Sequence, residues 1–306
     1  MTPQMSVDLC GITLRNPILA ASGTFAYGIE FARQVRFDRI GGFVVKGLSR
    51  EPMAGNAPPR VWEAEGGMLN SIGLQNIGVR AFVADRLPAL AKLPCAVIAN
   101  VFGYAVEDYV EVVRVLEDHA GLAGYELNVS CPNTKQGGIV FSSDASLLAE
   151  VVAAVRAVAR RPLIVKLSPN VTRIQPLAAA AAEAGADALS LVNTFVALAI
   201  DARARRPRLG AGFGGLSGPA IKPIALRLVY EAAQAVRIPV VGLGGIATGE
   251  DAAEFMLAGA TAVQVGTASF WDPRAVERIA RELERFCRRE HIAEVRSLTG
   301  ALKLGD

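Results

Sequence analysis

Long apolar runs are missing from this 306-residue sequence, although 52% of its residues are hydrophobic. The longest uninterrupted apolar stretches, such as residues 177–182, fall far short of the roughly 18 residues that a membrane span needs. The first residues, MTPQMSVDLCG, contain neither the basic region nor the apolar region of a secretory signal. The sequence therefore predicts a cytoplasmic globular protein without a membrane partner.

An excess of one charge is also missing, since 32 Lys and Arg residues are balanced by 29 Asp and Glu residues, which leaves a net charge of +3. The single unbalanced cluster consists of Arg203, Arg205, Arg206 and Arg208. We expect an exposed loop there, and the alternative is contact with an anion or a partner protein. Aromatic residues do not interleave with these arginines, so the pattern excludes a nucleic-acid surface.

Cysteine and histidine are scarce. The four cysteines are scattered along the chain, as Cys10, Cys95, Cys131 and Cys287. None belongs to a C-x-x-C pair, which excludes a zinc site or an iron–sulfur cluster built from neighbouring ligands, so we expect no metal. The two histidines, His119 and His291, fall at or near the ends of predicted helices, and neither is placed as a general base.

What the sequence does contain is a repeated alternation of short apolar runs and helical patterns. The runs predict eight strands, at residues 17–22, 42–47, 96–101, 125–130, 163–168, 188–193, 239–245 and 262–267. The intervening helices are predicted at residues 105–119, 145–160, 173–185, 220–236, 249–258 and 273–289. Apolar runs of this kind suit strands that are buried on both faces of a parallel sheet. The pattern therefore predicts an α/β fold of the (β/α)8 TIM-barrel type rather than an open doubly wound sheet.

Two further features complete the predicted architecture. The segment VDLCGITL (7–14) predicts an N-terminal β-hairpin with its turn at Cys10 and Gly11, placed to close the bottom of the barrel. The connections 48–79 and 194–219 are long βα loops, and loops of such length usually carry function over the C-terminal face. No linker divides the chain, so we expect one domain over residues 1–306.

Polar or glycine residues end all eight predicted strands. They are Ser22 with Gly23, Lys46, Asn100, Asn128 with Cys131, Lys166, Asn193 with Thr194, Gly244 with Gly245, and Gly266 with Thr267. A single asparagine or glycine at such a position is explained by helix capping or by a turn. The recurrence at every strand instead predicts an active site at the carboxyl ends, where two lysines are costly to bury unless they meet an anion.

The last two strands add a second pattern, GLGG (242–245) followed by VGT (265–267). Closely approachable backbone N–H groups after these strands predict a phosphate site, and tight turns alone are the alternative. Gly210, Gly212 and Gly215 match the spacing G-x-G-x-x-G, but no apolar strand precedes them. We therefore reject a dinucleotide site in this chain.

Cys131 differs from the other cysteines because it follows the fourth strand, three residues after Asn128. Pro132 stiffens the turn, and Gly137 with Gly138 gives the rest of the loop a hinge. A thiol there can serve as a nucleophile or as a base. Without a neighbouring histidine, proton abstraction is favoured over acyl transfer.

The chain resembles the class 1 dihydroorotate dehydrogenases over nearly its whole length, and among them the class 1B catalytic (FMN) subunit. The motifs that carry this resemblance are NPILAASGTF (16–25), VVKGLS (44–49), NSIGLQNIG (70–78), ANVFG (99–103), ELNVSCPN (126–133), IVKLSPNV (164–171), VNT (192–194), GGLSGPAIKP (214–223), GLGGIATGEDA (242–252) and AVQVGTA (262–268). One departure is the segment FVALAID (195–201), where the family commonly has a Gly-Met pair.

The resemblance implies two sets of binding residues. FMN, one per chain, is expected at Ser22, Lys46, Gly47, Asn100, Asn128, Lys166, Val192, Gly218, Gly244, Gly245, Gly266 and Thr267. The substrate is expected at Lys46, Asn70, Ser71, Ile72, Gly73, Leu74, Asn128, Asn193 and Thr194. Asparagines suit the amide edges of the substrate ring, and a lysine suits its carboxylate.

The resemblance also implies the reaction, the oxidation of dihydroorotate to orotate in pyrimidine (UMP) biosynthesis. Cys131 would remove the C5 proton while a hydride leaves C6 for the flavin, and Lys166 would stabilise the negative charge of the reduced ring. The loop 132–141 would close over the substrate and exclude water.

The class 1B resemblance further implies partners, namely a homodimer flanked by two subunits that carry FAD and a 2Fe-2S centre and pass electrons to NAD⁺. The alternatives are a class 1A enzyme, in which fumarate enters the same site, and a dihydropyrimidine dehydrogenase-type flavoprotein. A catalytically silent barrel and a Schiff-base aldolase or isomerase are two further alternatives. A quinone-linked enzyme would need an N-terminal anchoring extension before the hairpin and uses serine as its base.

Overall fold

The computed structural model of this protein describes residues 2–129, 141 and 143–305. Cys131, Pro132, Gly137 and Gly138, to which the sequence analysis assigns roles, lie outside the described residues. All eight strand ends that it singles out, with the other predicted site residues, lie within the described ranges.

The described chain begins with the predicted hairpin, formed by β1 (Val7–Leu9) and β2 (Ile12–Leu14). Asp8 pairs with Thr13, and the turn residues Cys10 and Gly11 have φ angles of 47° and 89°. Glycine suits the second position because it adopts positive φ without a steric cost. A Cβ on Gly124, where the fourth barrel strand begins, would lie 3.2 Å from Cδ1 of Ile12, so the hairpin packs beneath the barrel.

Eight parallel strands close into a barrel and confirm the predicted (β/α)8 fold. In barrel order they are β3 (Ile18–Ala20), β4 (Gly42–Val44), β7 (Ala96–Val101), β8 (Gly124–Asn128), β9 (Leu163–Lys166), β10 (Ala188–Leu191), β15 (Val240–Leu243) and β16 (Ala262–Val265). The ring closes where Val263 of β16 pairs with Ile18 of β3. Every residue of β3, β4, β9, β10, β15 and β16 is buried, which explains their continuous apolar runs.

The six predicted helices are all confirmed, with small shifts at their ends. They are α3 (Val106–Glu117), α4 (Ala145–Arg156), α5 (Gln175–Glu183), α6 (Lys222–Ala235), α7 (Gly249–Leu257) and α9 (Ala275–Arg289). Three short helices that the sequence did not predict are α1 (Val79–Asp85), α2 (Leu87–Leu90) and α8 (Ala268–Trp271). Helix α3 buries Tyr109, Val112, Val113 and Leu116, the spacing of one helical face. Across the described ranges, no helix is both long and apolar enough to cross a membrane.

The two long βα connections contain short strands of their own, which the sequence analysis did not predict. They supply four strands, β5 (Val61–Ala64), β6 (Gly67–Asn70), β11 (Phe195–Ala197) and β14 (Gly214–Ser217), which pair antiparallel in the order β11-β14-β6-β5. We call this the cap sheet. Its central pairing sets Leu69 opposite Leu216, so the sheet joins segments that are far apart in the sequence.

A two-stranded ribbon, β12 (Ile200–Asp201) with β13 (Arg206–Pro207), extends from the cap sheet and carries the arginine cluster. Arg203, Arg205 and Arg206 are exposed, as predicted for a solvated loop. Arg208 instead forms an ion pair with Asp201 at 2.7 Å and stacks over the Trp62 ring. The segment 195–201, in which the chain departs from the family pattern, forms β11 of the cap sheet and β12 of this ribbon.

Candidate active site

A cavity of about 410 Å³ lies at the carboxyl ends of the barrel strands, with cap-sheet residues in its wall. Its volume falls within the range of roughly 300–1,000 Å³ that is typical of small-molecule sites. The structure brings most of the predicted site residues to its wall: Ser22, Lys46, Gly47, Asn70, Ile72, Gly73, Leu74, Asn100, Asn128, Lys166, Val192, Asn193, Thr194, Gly218, Gly244, Gly245, Gly266 and Thr267.

Two predicted site residues are not part of this wall as described. Ser71 is fully buried behind it, where its backbone N–H donates to the carbonyl of Arg60 at 2.8 Å. Its carbonyl accepts a hydrogen bond from Asn56, which ties the loop after β6 to the connection before β5. Cys131 lies outside the described residues, so its relation to the cavity stays a prediction.

A buried carboxylate lies beneath the cavity, inside the barrel. Glu126 of β8 is 0% exposed, and its Oε1 accepts from Nδ2 of Asn100 at 2.8 Å. Its Oε2 accepts from Oγ of Ser190 at 3.0 Å and from Nε2 of Gln264 at 2.6 Å. Nζ of Lys166 lies 3.7 Å from Oε1. This carboxylate therefore joins side chains from five barrel strands and compensates the buried charge of Lys166.

Two further cations, Lys46 and Arg60, line the cavity closer to the cap sheet. Burial lowers the pKa of Lys46, and the nearby guanidinium of Arg60 lowers it further. Nη1 of Arg60 donates to Oε1 of Gln75 at 2.9 Å, which orients the guanidinium beside the loop after β6. Two positive charges that repel each other across a cavity wall are stabilised by an anion bound between them. This is the chemistry expected of a carboxylate-binding site.

The amide side chains of the wall are fixed by a chain of hydrogen bonds. Nδ2 of Asn193 donates to Oδ1 of Asn128 at 3.2 Å, and Oδ1 of Asn193 accepts from the backbone N–H of Thr194 at 2.9 Å. The carbonyl of Thr194 in turn accepts from Nδ2 of Asn170 at 3.0 Å. Asn128 at the end of β8 and Asn193 with Thr194 on the connection after β10 thus hold one another in place, and each carries groups that suit the amide edges of a ring.

The cap sheet reaches the cavity through Asn70, at the end of β6. Its Nδ2 donates to the carbonyl of Gly215 at 3.3 Å, across the β6–β14 pairing. A Cβ on Gly215 would approach Oγ1 of Thr194 to 2.0 Å, so only glycine permits this contact between sheet and wall. The loop 71–78 is organised by the buried Asn76, whose side chain hydrogen-bonds Ser49 and the backbone N–H of Gly78.

The glycine-rich turns lie together at one end of the cavity. Gly244 and Gly245 have φ angles of 129° and 83°, and a Cβ on Gly245 would lie 2.9 Å from the carbonyl of Gly218. Oγ1 of Thr267 donates to Oγ of Ser217 at 2.7 Å, which joins the turn after β16 to the cap sheet. Because the glycines of these turns carry no side chain, a ligand could contact the main-chain N–H groups directly.

The carboxylate of Asp251 holds the turn after β15 in place. Oδ2 of Asp251 accepts from the backbone N–H groups of Ala247 and Thr248, and Oδ1 lies 2.6 Å from Nζ of Lys222. Burial alone would raise the pKa of Asp251, but these hydrogen bonds outweigh it and the pKa is lowered. The carboxylate therefore stays charged and anchors the start of α7 against α6.

The remaining titratable groups of the sequence analysis are away from the cavity. His119 and His291 are exposed and are not among the residues of its wall. Burial raises the pKa values of Cys10 and Cys95 to about 12, and it also raises that of Cys287. No group of three or more His, Cys, Asp or Glu side chains that could hold a metal ion occurs among the described residues.

Sequence reasoning missed several residues that the structure places at the site. The wall also contains Arg60, Met68, Gln75, Gln264, Phe270 and Trp271, and Glu126 lies directly beneath it. The signal for Glu126 and Gln264 was present, because each is a polar residue flanked by hydrophobic residues inside a barrel strand. Arg60 and Met68 carried no such signal, since they reach the cavity only through the unpredicted cap sheet.

Comparison with known proteins connects this site to one family. The sequence model of the family described as "Dihydroorotate dehydrogenase" matches residues 4–287. A protein of Solibacter usitatus (strain Ellin6076), named "Putative dihydroorotate dehydrogenase A (fumarate)", is 73% identical over 303 residues, which cover 99% of this chain and all of the relative.

Two further relatives carry the name "Dihydroorotate dehydrogenase B (NAD(+)), catalytic subunit". They come from Geobacter sp. (strain M21) and Geobacter sulfurreducens (strain ATCC 51573 / DSM 12127 / PCA), and each is 55% identical over 302 residues, covering 99% of both chains. The resemblance drawn from the sequence motifs, including that to the class 1B catalytic subunit, is confirmed by these matches. The chain therefore belongs to the dihydroorotate dehydrogenase family.

Proposed function

We propose that this chain oxidises dihydroorotate to orotate in the cytoplasm, as a step of pyrimidine biosynthesis, with FMN as its cofactor. The observation that carries the proposal is the single cavity in which the carboxylate-binding cations, the amide side chains and the glycine-rich turns meet. Family membership supports the reaction. The residues of the wall support the two ligands, as argued below.

The deep part of the cavity suits FMN on three counts. Gln264 is 1% exposed and lines the wall, and its Oε1 has no hydrogen-bond partner among the described residues, so a bound ring with an N–H group would satisfy it. The turns at Gly244–Gly245 and Gly266–Thr267 suit the phosphate, and Lys166 suits a ring that gains negative charge. When bound, FMN supplies the acceptor for two electrons.

The substrate is proposed to lie on the cap-sheet side of this ring. Lys46 and Arg60 would bind its carboxylate, since both are cationic and line the same wall. Asn70, Asn128 and Asn193 would bind the amide groups of its ring, for which their hydrogen bonds already fix an orientation. These contacts would hold the reacting C5–C6 bond against the cofactor.

We propose Cys131 as the base that removes the C5 proton. Its support is sequence position, three residues after Asn128, which lines the cavity. The thiolate is the form that accepts a proton, and its fraction depends on the pKa that the site imposes on the thiol. The segment 132–141 is proposed to close over the substrate.

The proposed function is tested on the purified chain. A yellow protein whose flavin is bleached anaerobically by dihydroorotate, and not by dihydrouracil, is the expected result. Bleaching by dihydrouracil would favour a dihydropyrimidine dehydrogenase-type enzyme instead. A colourless protein that forms a borohydride-trapped Schiff base would contradict the proposal and favour an aldolase, whereas a colourless and inert protein would favour a silent barrel.

For the electron acceptor we propose NAD⁺, reached through a partner subunit that carries FAD and a 2Fe-2S centre. The names of the two relatives at 55% identity support this, because they describe a catalytic subunit of an NAD(+) enzyme. The assembly would be a homodimer of this chain with two such partners. The isolated chain should reduce NAD⁺ poorly, and co-expression with the partner should restore that activity.

A second candidate acceptor is fumarate, which the name of the relative at 73% identity favours. Fumarate would enter the substrate site after orotate leaves and use the same carboxylate-binding cations. Efficient turnover of the isolated chain with dihydroorotate and fumarate would select this candidate. Turnover only with NAD⁺ and the partner subunit would exclude it.

A further inference from the structure

The buried amides beneath the cavity have a fixed orientation, and Glu126 is the reason. A carboxylate accepts hydrogen bonds and donates none, so each amide that touches it must present its NH₂ group. Asn100 and Gln264 both do so, at 2.8 Å and 2.6 Å. Their oxygens must therefore point away from Glu126, because the oxygen and the nitrogen of a planar amide point in different directions from the same carbon.

In Gln264 the amide nitrogen is therefore taken up by Glu126, and within the described residues the amide oxygen is left without a partner. Gln264 lines the wall, and its Oε1 is the buried acceptor there that lacks a hydrogen-bond partner within the described part of the chain. An unsatisfied acceptor in a protein interior costs free energy that a bound donor recovers. Lys166, held by the same carboxylate, adds a donor to the same wall. The wall thus pairs one acceptor with one donor.

We propose that Gln264 binds the flavin by accepting the N–H of the pyrimidine ring of FMN, with Glu126 as the positioning residue that fixes the amide. This inference rests on the proposed function. The group recognised in the flavin ring is an imide, an N–H flanked by two carbonyls. Its N–H would donate to Oε1 of Gln264, and one of its carbonyls would accept from the ammonium of Lys166.

Dihydroorotate and orotate carry the same imide, so the source of the N–H has to be distinguished. The position of Gln264 favours the cofactor ring. It lies within strand β16, two residues before Gly266 and the proposed phosphate turn, and it shares Glu126 with Lys166. The proposed substrate contacts Asn70 and Thr194 lie instead on the cap sheet and on the connection after β10.

The test compares FMN with 3-methyl-FMN, in which the ring N–H is replaced by N–CH₃. Apoprotein is titrated with each flavin, and the ratio of the two dissociation constants is measured by flavin fluorescence. The wild-type chain should prefer FMN by about 10- to 100-fold, the range expected for a buried donor–acceptor pair. In Gln264→Met, which keeps the length of the side chain and loses its amide, the ratio should fall to near unity.

Ser190→Ala is the matched control. It removes a hydrogen bond from the same carboxylate oxygen, Oε2 of Glu126, but Ser190 is not part of the cavity wall. The control should keep the wild-type ratio. A Gln264→Met ratio equal to that of the wild type would overturn the proposal, and so would an equal loss in both variants.

A second titration, of the yellow holoprotein with orotate and 3-methylorotate, separates the two sources of the imide. Discrimination between these two ligands should be the same in wild type and Gln264→Met. A loss confined to this titration would assign Gln264 to the substrate and overturn the assignment to the cofactor.

Glu126→Gln tests the positioning role. A glutamine brings its own NH₂ group and cannot accept from Asn100, Ser190 and Gln264 together, so the preference for FMN over 3-methyl-FMN should shrink. An unchanged preference would overturn the role of Glu126. If this core variant does not fold, Gln264→Met still decides the flavin contact. Bleaching of the wild-type flavin by dihydroorotate is measured separately, so failure of the proposed function is distinguished from failure of this inference.

Discussion

The cavity has two sides of very different construction, the barrel interior and the cap sheet. On the barrel side, Glu126 and Ser190 are 0% exposed, and side chains from four strands converge through hydrogen bonds of 2.6–3.0 Å. On the cap side, Val61 and Trp62 are 43% and 39% exposed, and the sheet consists of strands of three or four residues. The barrel side lies within the closed parallel sheet, whereas the cap side is a separate antiparallel sheet joined to the barrel by contacts such as that of Ser217 with Thr267.

This difference suggests a division of labour between a rigid half that binds the cofactor and an attached half that selects the substrate. Barrel strands supply the donor and acceptor beneath the proposed flavin site. The cap sheet and its loops supply Asn70, Arg60 and the contact of Gly215 with Thr194. Variants on the two sides should therefore fail in different ways, and the following experiments test that expectation.

The largest effect is expected from Cys131→Ala. Cys131 follows a barrel strand but is proposed to act on the substrate, so it would break a simple division between the two sides. The variant should keep its FMN, while reduction of the flavin by dihydroorotate slows on the order of 10²–10⁴-fold. Stopped-flow measurement of the reductive half-reaction checks this. In the wild type the rate should rise with pH through the pKa of the thiol, since a cysteine accepts a proton only as the thiolate. A near-normal rate in the variant, or a flat profile, would exclude Cys131.

Lys166→Ala should impair cofactor binding on the barrel side. It removes the cation at 3.7 Å from Glu126 and leaves that carboxylate buried without a compensating charge. FMN binding should weaken on the order of 100-fold, as expected when one partner of a buried charge pair is lost. Titration of apoprotein with FMN measures the loss, and the reduction potential of any retained flavin should fall. A yellow variant of unchanged affinity would place Lys166 outside the cofactor site.

Asn70→Ala and Asn193→Ala test the residues proposed to bind the substrate. Asn70 belongs to the cap sheet, and Asn193 lies on the connection after β10. Each should raise the KM for dihydroorotate by about 10-fold, the cost of one lost hydrogen bond to a buried polar group. Both proteins should purify yellow, with FMN affinity unchanged. If either variant purifies colourless, the division between cofactor and substrate residues is wrong.

Lys46→Met should have a smaller effect on stability, and this substitution should stabilise the apoprotein rather than destabilise it. Burial and the repulsion by Arg60 lower the pKa of Lys46, so its charge is costly while no anion is bound. The free energy of unfolding of the apoprotein should rise by about 1 kcal/mol, while orotate binding is lost. The same lowered pKa means that orotate affinity in the wild type falls as pH rises through it, before the ordinary lysine pKa of about 10.4 is reached. Chemical denaturation and orotate titration across pH measure both.

The smallest effect is expected from Asp251→Asn, behind the turn after β15. The folded-state pKa of Asp251 is lowered, so its stabilising contribution is present above the unfolded-state value of about 3.9 and is lost as pH falls through the folded-state value. Wild type and variant should therefore differ in melting temperature by a few degrees at neutral pH and converge in acid. Parallel melting curves at every pH would assign the stability of this turn to other contacts.

The barrel could be predicted from the sequence because its signals are local. Each barrel strand is a short apolar run, and each large helix shows one buried face, as α3 does. The cap sheet could not be predicted in the same way. Its strands are short, half-exposed and interrupted by Gly67, Gly214 and Gly215, and they acquire partners only through pairing with a distant segment.

The same distinction governs the site. Residues at strand ends, such as Lys46 and Asn100, were found because parallel strands bring their carboxyl ends together. Arg60 was missed because it approaches the cavity through the cap connection. Gln264 was missed because its chemistry depends on Glu126, a neighbour 138 residues away in the chain. Orientation of an amide is a property of its partner, and a single sequence does not reveal partners.

The antiparallel pairing of β6 with β14 also constrains the order in which the chain can fold. The pairing of Leu69 with Leu216 closes a long loop that contains four of the eight barrel strands, β7 to β10. Closure of so long a loop is entropically costly until intervening contacts have shortened it, which places the cap sheet among the last parts to form. In a nascent or partly unfolded chain the carboxyl ends of the barrel strands would then lie open, without the cap sheet over them. Ligands that contact both the barrel side and the cap side of the cavity would bind only the fully folded protein. Ligand binding would thereby add its own stabilisation at the final step of folding and draw the population toward the closed form.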